Sequence, residues 1–199
     1  MMKIVKTPIP DFLRSKYKKW GKRYKAKRDN PNRSNDFAWA IYQGNRVNQI
    51  LLPKLREEVN NSHCSFCDGF PLDTTGETIE HLRCVSEYPL LSYVWANLYY
   101  CCNYCNNHKL ENPEKKLLRP DNFEYNFEKY FIFEPDTGKI DVNPDPNLTD
   151  LDKEKALNTI NIYGLNEYNR PFRRKSYLKL FHKTIDPNIE DFPYRFILQ

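Results

Sequence analysis

Two Cys-x-x-Cys pairs, Cys64/Cys67 and Cys102/Cys105, constrain this chain more than any other feature. Each pair sets two thiolates on one side of a tight turn, which is half a tetrahedron. Two such turns make a closed four-sulfur zinc site. The 34 residues between the pairs exceed a simple zinc ribbon, so a structured insert is expected between the halves. Cys101 competes with Cys102 as a ligand, and Cys102 has the better spacing to Cys105. Cys84 and Cys101 are expected in the core. The N-terminal MMKIVKTPIP carries charge but no apolar stretch of a secretory signal, so a reducing, cytoplasmic setting is expected. Clustered thiols there are more often metal ligands than disulfides. No run of 18 apolar residues occurs, so no membrane partner is expected. At 40% hydrophobic and 15% aromatic, the 199 residues can bury a core.

The net charge of +5 hides an asymmetry. Between Arg14 and Arg33 there are ten Lys/Arg and one acid, Asp29, which leaves −4 for the rest of the chain. Such a block favours a polyanion through counterion release, and its bland counterpart is a solvated helix face. Lys18, Lys19, Lys22, Arg23 and Lys25 are the candidate phosphate contacts.

Three regions are expected: a basic helical extension over 1–60, a cysteine-framed core over 61–118, and a hairpin-and-helix region over 119–199. Residues 11–28 read as a helix that Asp11 can cap, with Gly21 weakening its middle. Apolar spacing from Phe37 to Leu55 predicts a second helix over about 36–60, with Pro53 a kink or break. Strands are expected at 77–83 and 98–101, and a helix over 103–118. A hairpin is expected at 130–133 and 139–142, and helices over 150–163 and 167–183. The tail FPYRFILQ reads as packed.

Between and beside the cysteine pairs lie residues suited to chemistry. Glu80 and His81 fall at a strand end, where the chain bends and both side chains can converge. Asn97 follows in W-x-N-L, and Cys105-Asn106-Asn107-His108-Lys109 opens a helix. A histidine is the natural base near neutral pH, its free imidazole titrating at about 6.5. Oxygen ligands such as Glu80 and Asn106 suit magnesium or manganese, with His108 a rival ligand. Lys109 lies one helical turn from Asn106, placed to approach a phosphate. Taken singly, His81 is more often a satisfied polar residue and Asn106 a helix cap. Their joint placement carries the argument.

Glu-His at a strand end, Asn in W-x-N-L and C-x-x-C-N-x-x-K together resemble the HNH (ββα-metal) nuclease motif, over about residues 63–110. Glu80 stands where many such proteins have Asp, and Cys84 where many have Pro. The resemblance implies an α+β fold: a zinc-stapled β-hairpin and helix gripping one divalent ion, flanked by N- and C-terminal helices. It implies His81 as general base, Asn97 as the residue that holds the loop and orients His81, and Glu80 and Asn106 as ligands of catalytic Mg2+ or Mn2+. More narrowly, MMKIVKTPIPDFL, the basic W-x-x-x-Y helix, HCSFCDGFPL, TIEHLR and NLYYCCNYCNNHK resemble the HNH subunit of Septu and retron-linked antiphage systems (the PtuB type). That implies a bacterial defence nuclease acting on DNA or RNA beside an ABC-type ATPase partner. This chain has no G-x-x-x-x-G-K-[ST] sequence of its own. The alternatives are a zinc-stabilised nucleic-acid-binding module without catalysis and a zinc adaptor that recruits a partner.

Overall fold

The computed structural model describes residues 1–34, 36–72, 75–110 and 116–199. Helix α1 runs Asp11–Arg28. Pro10 is its N-cap residue, with no side-chain capping bond, so Asp11 sits in the first turn and favours the helix through the dipole rather than as the cap. Trp20, Gly21 and Tyr24 form its buried stripe, while Lys18, Lys19, Lys22, Arg23 and Lys25 are exposed. Gly21 has a packing reason. A Cβ there would stand 2.9 Å from the Leu90 carbonyl oxygen, where a single 3-10 turn, Pro89–Leu91, crosses the helix.

The expected helix over 36–60 is replaced over 36–46, nearly its first half. Residues 36–40 are irregular, followed by a two-residue hairpin, β1 (Ile41–Tyr42) and β2 (Asn45–Arg46). Gln43 and Gly44 both hold positive φ (49° and 81°), the geometry a two-residue hairpin turn needs, and no helix survives it. Helix α2 spans Val47–Lys54, with Pro53, which has no N–H for the ladder, inside it, and passes into a π-helical turn, Leu55–Val59, two residues on.

Three two-stranded sheets are present among the described residues. The central pair is β3 (Glu77–His81) against β4 (Leu98–Cys102), antiparallel, with Glu77 opposite Cys102 and His81 opposite Leu98. All five residues of β4 are buried. Helix α3 (Asn103–Lys109) follows at once, with Cys102 as its N-cap. It is shorter than the expected 103–118, because Leu110 turns to φ 48°. Part of the remainder, 111–115, lies outside the described residues.

Helix α4 (Phe127–Tyr130) leads into the hairpin β5 (Phe131–Glu134) and β6 (Lys139–Val142), and helices α5 (Asp150–Ile162) and α6 (Arg170–Lys183) follow. Arg174 is buried in this region. It is satisfied by the Gly138 and Leu165 carbonyls at 2.7 and 2.8 Å and by Asn166 Oδ1 at 2.9 Å. A buried guanidinium without such acceptors would be severely destabilising. The apolar tail packs: Phe192, Tyr194, Phe196 and Ile197 are buried. Arg195 closes on Asp68, its Nη2 donating to Oδ1 at 2.7 Å. No described helix is long and apolar enough to cross a membrane.

Candidate functional site

The four sulfurs of Cys64, Cys67, Cys102 and Cys105 lie within 4.8 Å of one another, and all four residues are buried. Cys67 and Cys102 Sγ are 3.7 Å apart. A tetrahedron with metal–sulfur bonds of 2.3 Å has edges of about 3.8 Å, so the cluster can hold a metal ion such as zinc. Strand β4 ends at Cys102 and α3 begins there, which brings the second pair under the knuckle formed by the first. The Cys102 and Cys105 amides donate to Cys64 Sγ and Cys102 Sγ, each at 3.4 Å. Arg170 Nη2 donates to Cys105 Sγ at 3.2 Å. These donors disperse the negative charge of a thiolate set. Cys101 lies beside the cluster but outside the four-sulfur group, its Sγ donating to the Cys102 carbonyl at 3.3 Å, and Cys84 is buried and not part of the group.

At the far end of β3 the strand stops at His81, and the chain is clamped by Asn97. Asn97 Oδ1 accepts from the Arg83 amide at 2.7 Å, and Nδ2 donates to the Arg83 and Leu91 carbonyls at 3.0 and 3.2 Å. That clamp folds 82–91 back so that the Ser92 carbonyl meets His81 Nε2 at 2.9 Å. A carbonyl only accepts, so Nε2 carries the proton and Nδ1 is left as the basic atom of a neutral ring. Burial pulls the imidazole down to about 4, with Lys109 adding to the effect, so the ring is neutral throughout the physiological range. Phe37 meets it edge-on at 5.0 Å, and Trp39 stacks on it at 5.2 Å and 21°.

Glu80, His81, Asn106 and Lys109 line one cavity of about 210 Å³, together with Cys84 and Val85. The adjacent Glu80 and His81 thus converge on one space at the strand end. Glu80 is buried, and burial raises its carboxyl to about 7 against the opposing pull of Lys109. Asn106 is half-buried, and its side chain makes no hydrogen bond among the described residues. A carboxylate from β3 and an amide oxygen from α3, both lining the cavity, suit a hard cation that keeps several waters.

Two expected placements differ. Lys109 is interior rather than poised for a phosphate: its side chain is 2% exposed, with Nζ 2.8 Å from Glu80 Oε1 and 2.9 Å from the His81 carbonyl. A buried carboxylate draws the nearest cation inward. His108 is no rival ligand in this geometry, because its Nδ1 faces the Ile162 carbonyl at 3.2 Å and it does not line the cavity.

Along α1, Arg23 lines a second groove together with Lys27 and Arg33, whereas Lys25 is paired with Asp29. Reading the sequence alone missed Phe37, Trp39 and Ser92, which surround His81, and Arg170, which reaches the sulfur cluster. The Phe37-x-Trp39 pair just after the basic block was a usable signal; the Ser92 carbonyl and Arg170 carried none. No protein-family model and no curated protein matches the chain.

Proposed function

We propose that the chain is a metal-dependent endonuclease of the HNH kind, with structural zinc on Cys64, Cys67, Cys102 and Cys105. The observation that supports it most is the convergence of Glu80, His81 and Asn106 on one cavity at the end of a strand pair that the cysteine cluster joins to a helix. In this reading His81 takes the proton of the attacking water at Nδ1, its tautomer held by Ser92. Asn97 holds the chain that presents Ser92 and so orients the imidazole. Glu80 and Asn106 would hold Mg2+ or Mn2+, which would neutralise charge developing at the phosphate and leaving oxygen. Lys109 holds Glu80 and balances its charge within the protein. Exposed cations of α1 supply phosphate contacts. The substrate is DNA or RNA, and the wider reading is the effector of a bacterial antiphage complex, with an ABC-type ATPase partner supplying any nucleotide-driven control.

One observation favours a second reading: Lys109 already occupies an oxygen of Glu80, as expected of a zinc-stabilised nucleic-acid-binding module without catalysis. Cleavage of labelled DNA and RNA with Mg2+ or Mn2+, by the parent and by His81→Ala, separates the two. Cleavage by the parent that is lost in a folded His81→Ala protein supports the nuclease. Binding by both without cleavage by either supports the module.

A further inference from the structure

The groove beside α1 does more than gather charge. Its cavity, about 370 Å³, is lined by Arg23, Lys27 and Arg33 and by the rings of Trp20, Tyr24, Trp39 and Tyr93, of which Trp39 is half-buried and the other three are buried. Among the described residues no carboxylate pairs with any of the three cations. Trp39 is shared between two sites: half-buried, it lines this groove and also stacks on His81. Tyr93 fixes the segment that carries it, its hydroxyl accepting from the Ala40 amide at 2.7 Å and donating to the Ala38 carbonyl at 3.3 Å. Lys27 holds the rim through the Asp36 carbonyl at 2.8 Å.

We infer that this groove binds a single nucleic-acid strand, stacking an unpaired base on Trp39 and delivering the adjoining phosphate to His81. Cations alone would accept any polyanion, but cations beside the half-buried Trp39 indole match a phosphate chain that carries exposed π faces. In a duplex those faces are covered by their neighbours. The volume is that of a small-ligand pocket, which suits one or two nucleotides rather than a double helix. The inference rests on the nuclease reading for what happens at His81, but not for binding.

The test is fluorescence anisotropy with a labelled 12-mer of oligo-dT or oligo-rU, a hairpin duplex of equal length, and polyglutamate as a competitor, in zinc-loaded protein without Mg2+ or Mn2+. The single strands should bind at least about tenfold more tightly than the duplex, because base–aromatic stacking is available only to them. Trp39→Ala should weaken single-strand binding by about 5- to 150-fold, and Trp39→Phe should recover most of it. Arg23→Gln/Lys27→Gln/Arg33→Gln should remove about 2 from the slope of log K against log salt, at ~0.7 per charge. These cations leave the aromatic core untouched and decide the matter if Trp39→Ala does not fold. Equal affinity for duplex and single strand, an unchanged slope in the triple variant, or displacement by polyglutamate as effective as by oligo-dT would overturn the inference. Cleavage is scored separately with Mn2+ added. Duplex cleavage that is indifferent to Trp39 leaves the nuclease and removes the groove. Single-strand binding with the expected signatures but no cleavage keeps the groove and removes the nuclease.

Discussion

Lys109→Met tests the interior of the candidate site. Methionine keeps the length of the side chain, so the change is chiefly electrostatic. Lys109 and Glu80 side chains are 2% and 5% exposed, with Nζ 2.8 Å from Oε1. Removing one partner of such a pair leaves an uncompensated buried charge and costs about 3–5 kcal/mol. For a chain of this size that lowers Tm by about 6–20 °C. The loss must depend on pH. Glu80 is an acid whose carboxyl is raised to about 7 in the folded protein, so its ionisation works against folding as pH rises from the ordinary carboxyl range towards 7. Without Lys109 the carboxyl rises further. In acid both proteins hold Glu80 neutral and the gap is smallest; above about pH 7 the parent carboxylate has its ammonium and the variant's does not, so the gap widens. Urea unfolding at pH 5.5, 7.0 and 8.5, with zinc constant, measures it. Lys109→Met/Glu80→Gln should recover part of the loss. Mn2+ should raise the Tm of Lys109→Met more than that of the parent, because a dication on Glu80 replaces the missing charge. A loss under about 1 kcal/mol at pH 8.5, or a gap independent of pH, would refute the reasoning.

Elemental analysis should give one zinc per chain, and Cys105→Ser should yield unfolded protein, since the metal's binding energy is then folding energy; well-folded protein without zinc sinks that site. His81 is pulled down to about 4, so its protonation should not limit the rate at neutral pH. The acid limb of cleavage should instead follow Glu80, near 7, and move lower as Mn2+ is raised; a limb fixed near 6.5 at every Mn2+ concentration would contradict this. Asn97→Ala removes three hydrogen bonds to Arg83 and Leu91 and should cost about 2–4 kcal/mol, with cleavage falling further than the folded fraction; unchanged specific activity in the folded protein would remove its positioning role. Gly21→Ala places a Cβ 2.9 Å from the Leu90 carbonyl and should destabilise, although alanine favours helices; a rise in Tm would show that α1 shifts freely.

What could be seen in the sequence was local. Cysteine spacing picked out the four residues that cluster, including Cys102 over Cys101, because ligand spacing in a turn is a short-range property. The strand at Glu77, the hairpin at 131–142 and the helices from 150 onward were legible for the same reason. Phe37–Leu55 misled. Its apolar residues recur at helical spacing, yet Phe37 and Trp39 serve the His81 pocket from an irregular segment, and the Gln43-Gly44 turn overrides the period. Lys109 looked solvated because charge in a sequence carries no partner. Its place was decided by Glu80, 29 residues earlier, which only the strand–strand–helix packing brings within reach.

The closure of Arg195 on Asp68 bears on how the chain assembles during synthesis. Asp68 follows directly on the first cysteine pair, and its carboxylate takes the Arg195 amide as well as the guanidinium, across a separation of 127 residues. The knuckle therefore emerges from the ribosome early, with half its sulfurs, and waits for Cys102 and Cys105 to complete it and for the tail to cover it. Contacts this distant in sequence close late and slowly. Between the synthesis of Asp68 and that of Arg195 the nascent chain carries an unpaired carboxylate that the fold will bury. A chaperone or early metal capture would matter most in that interval.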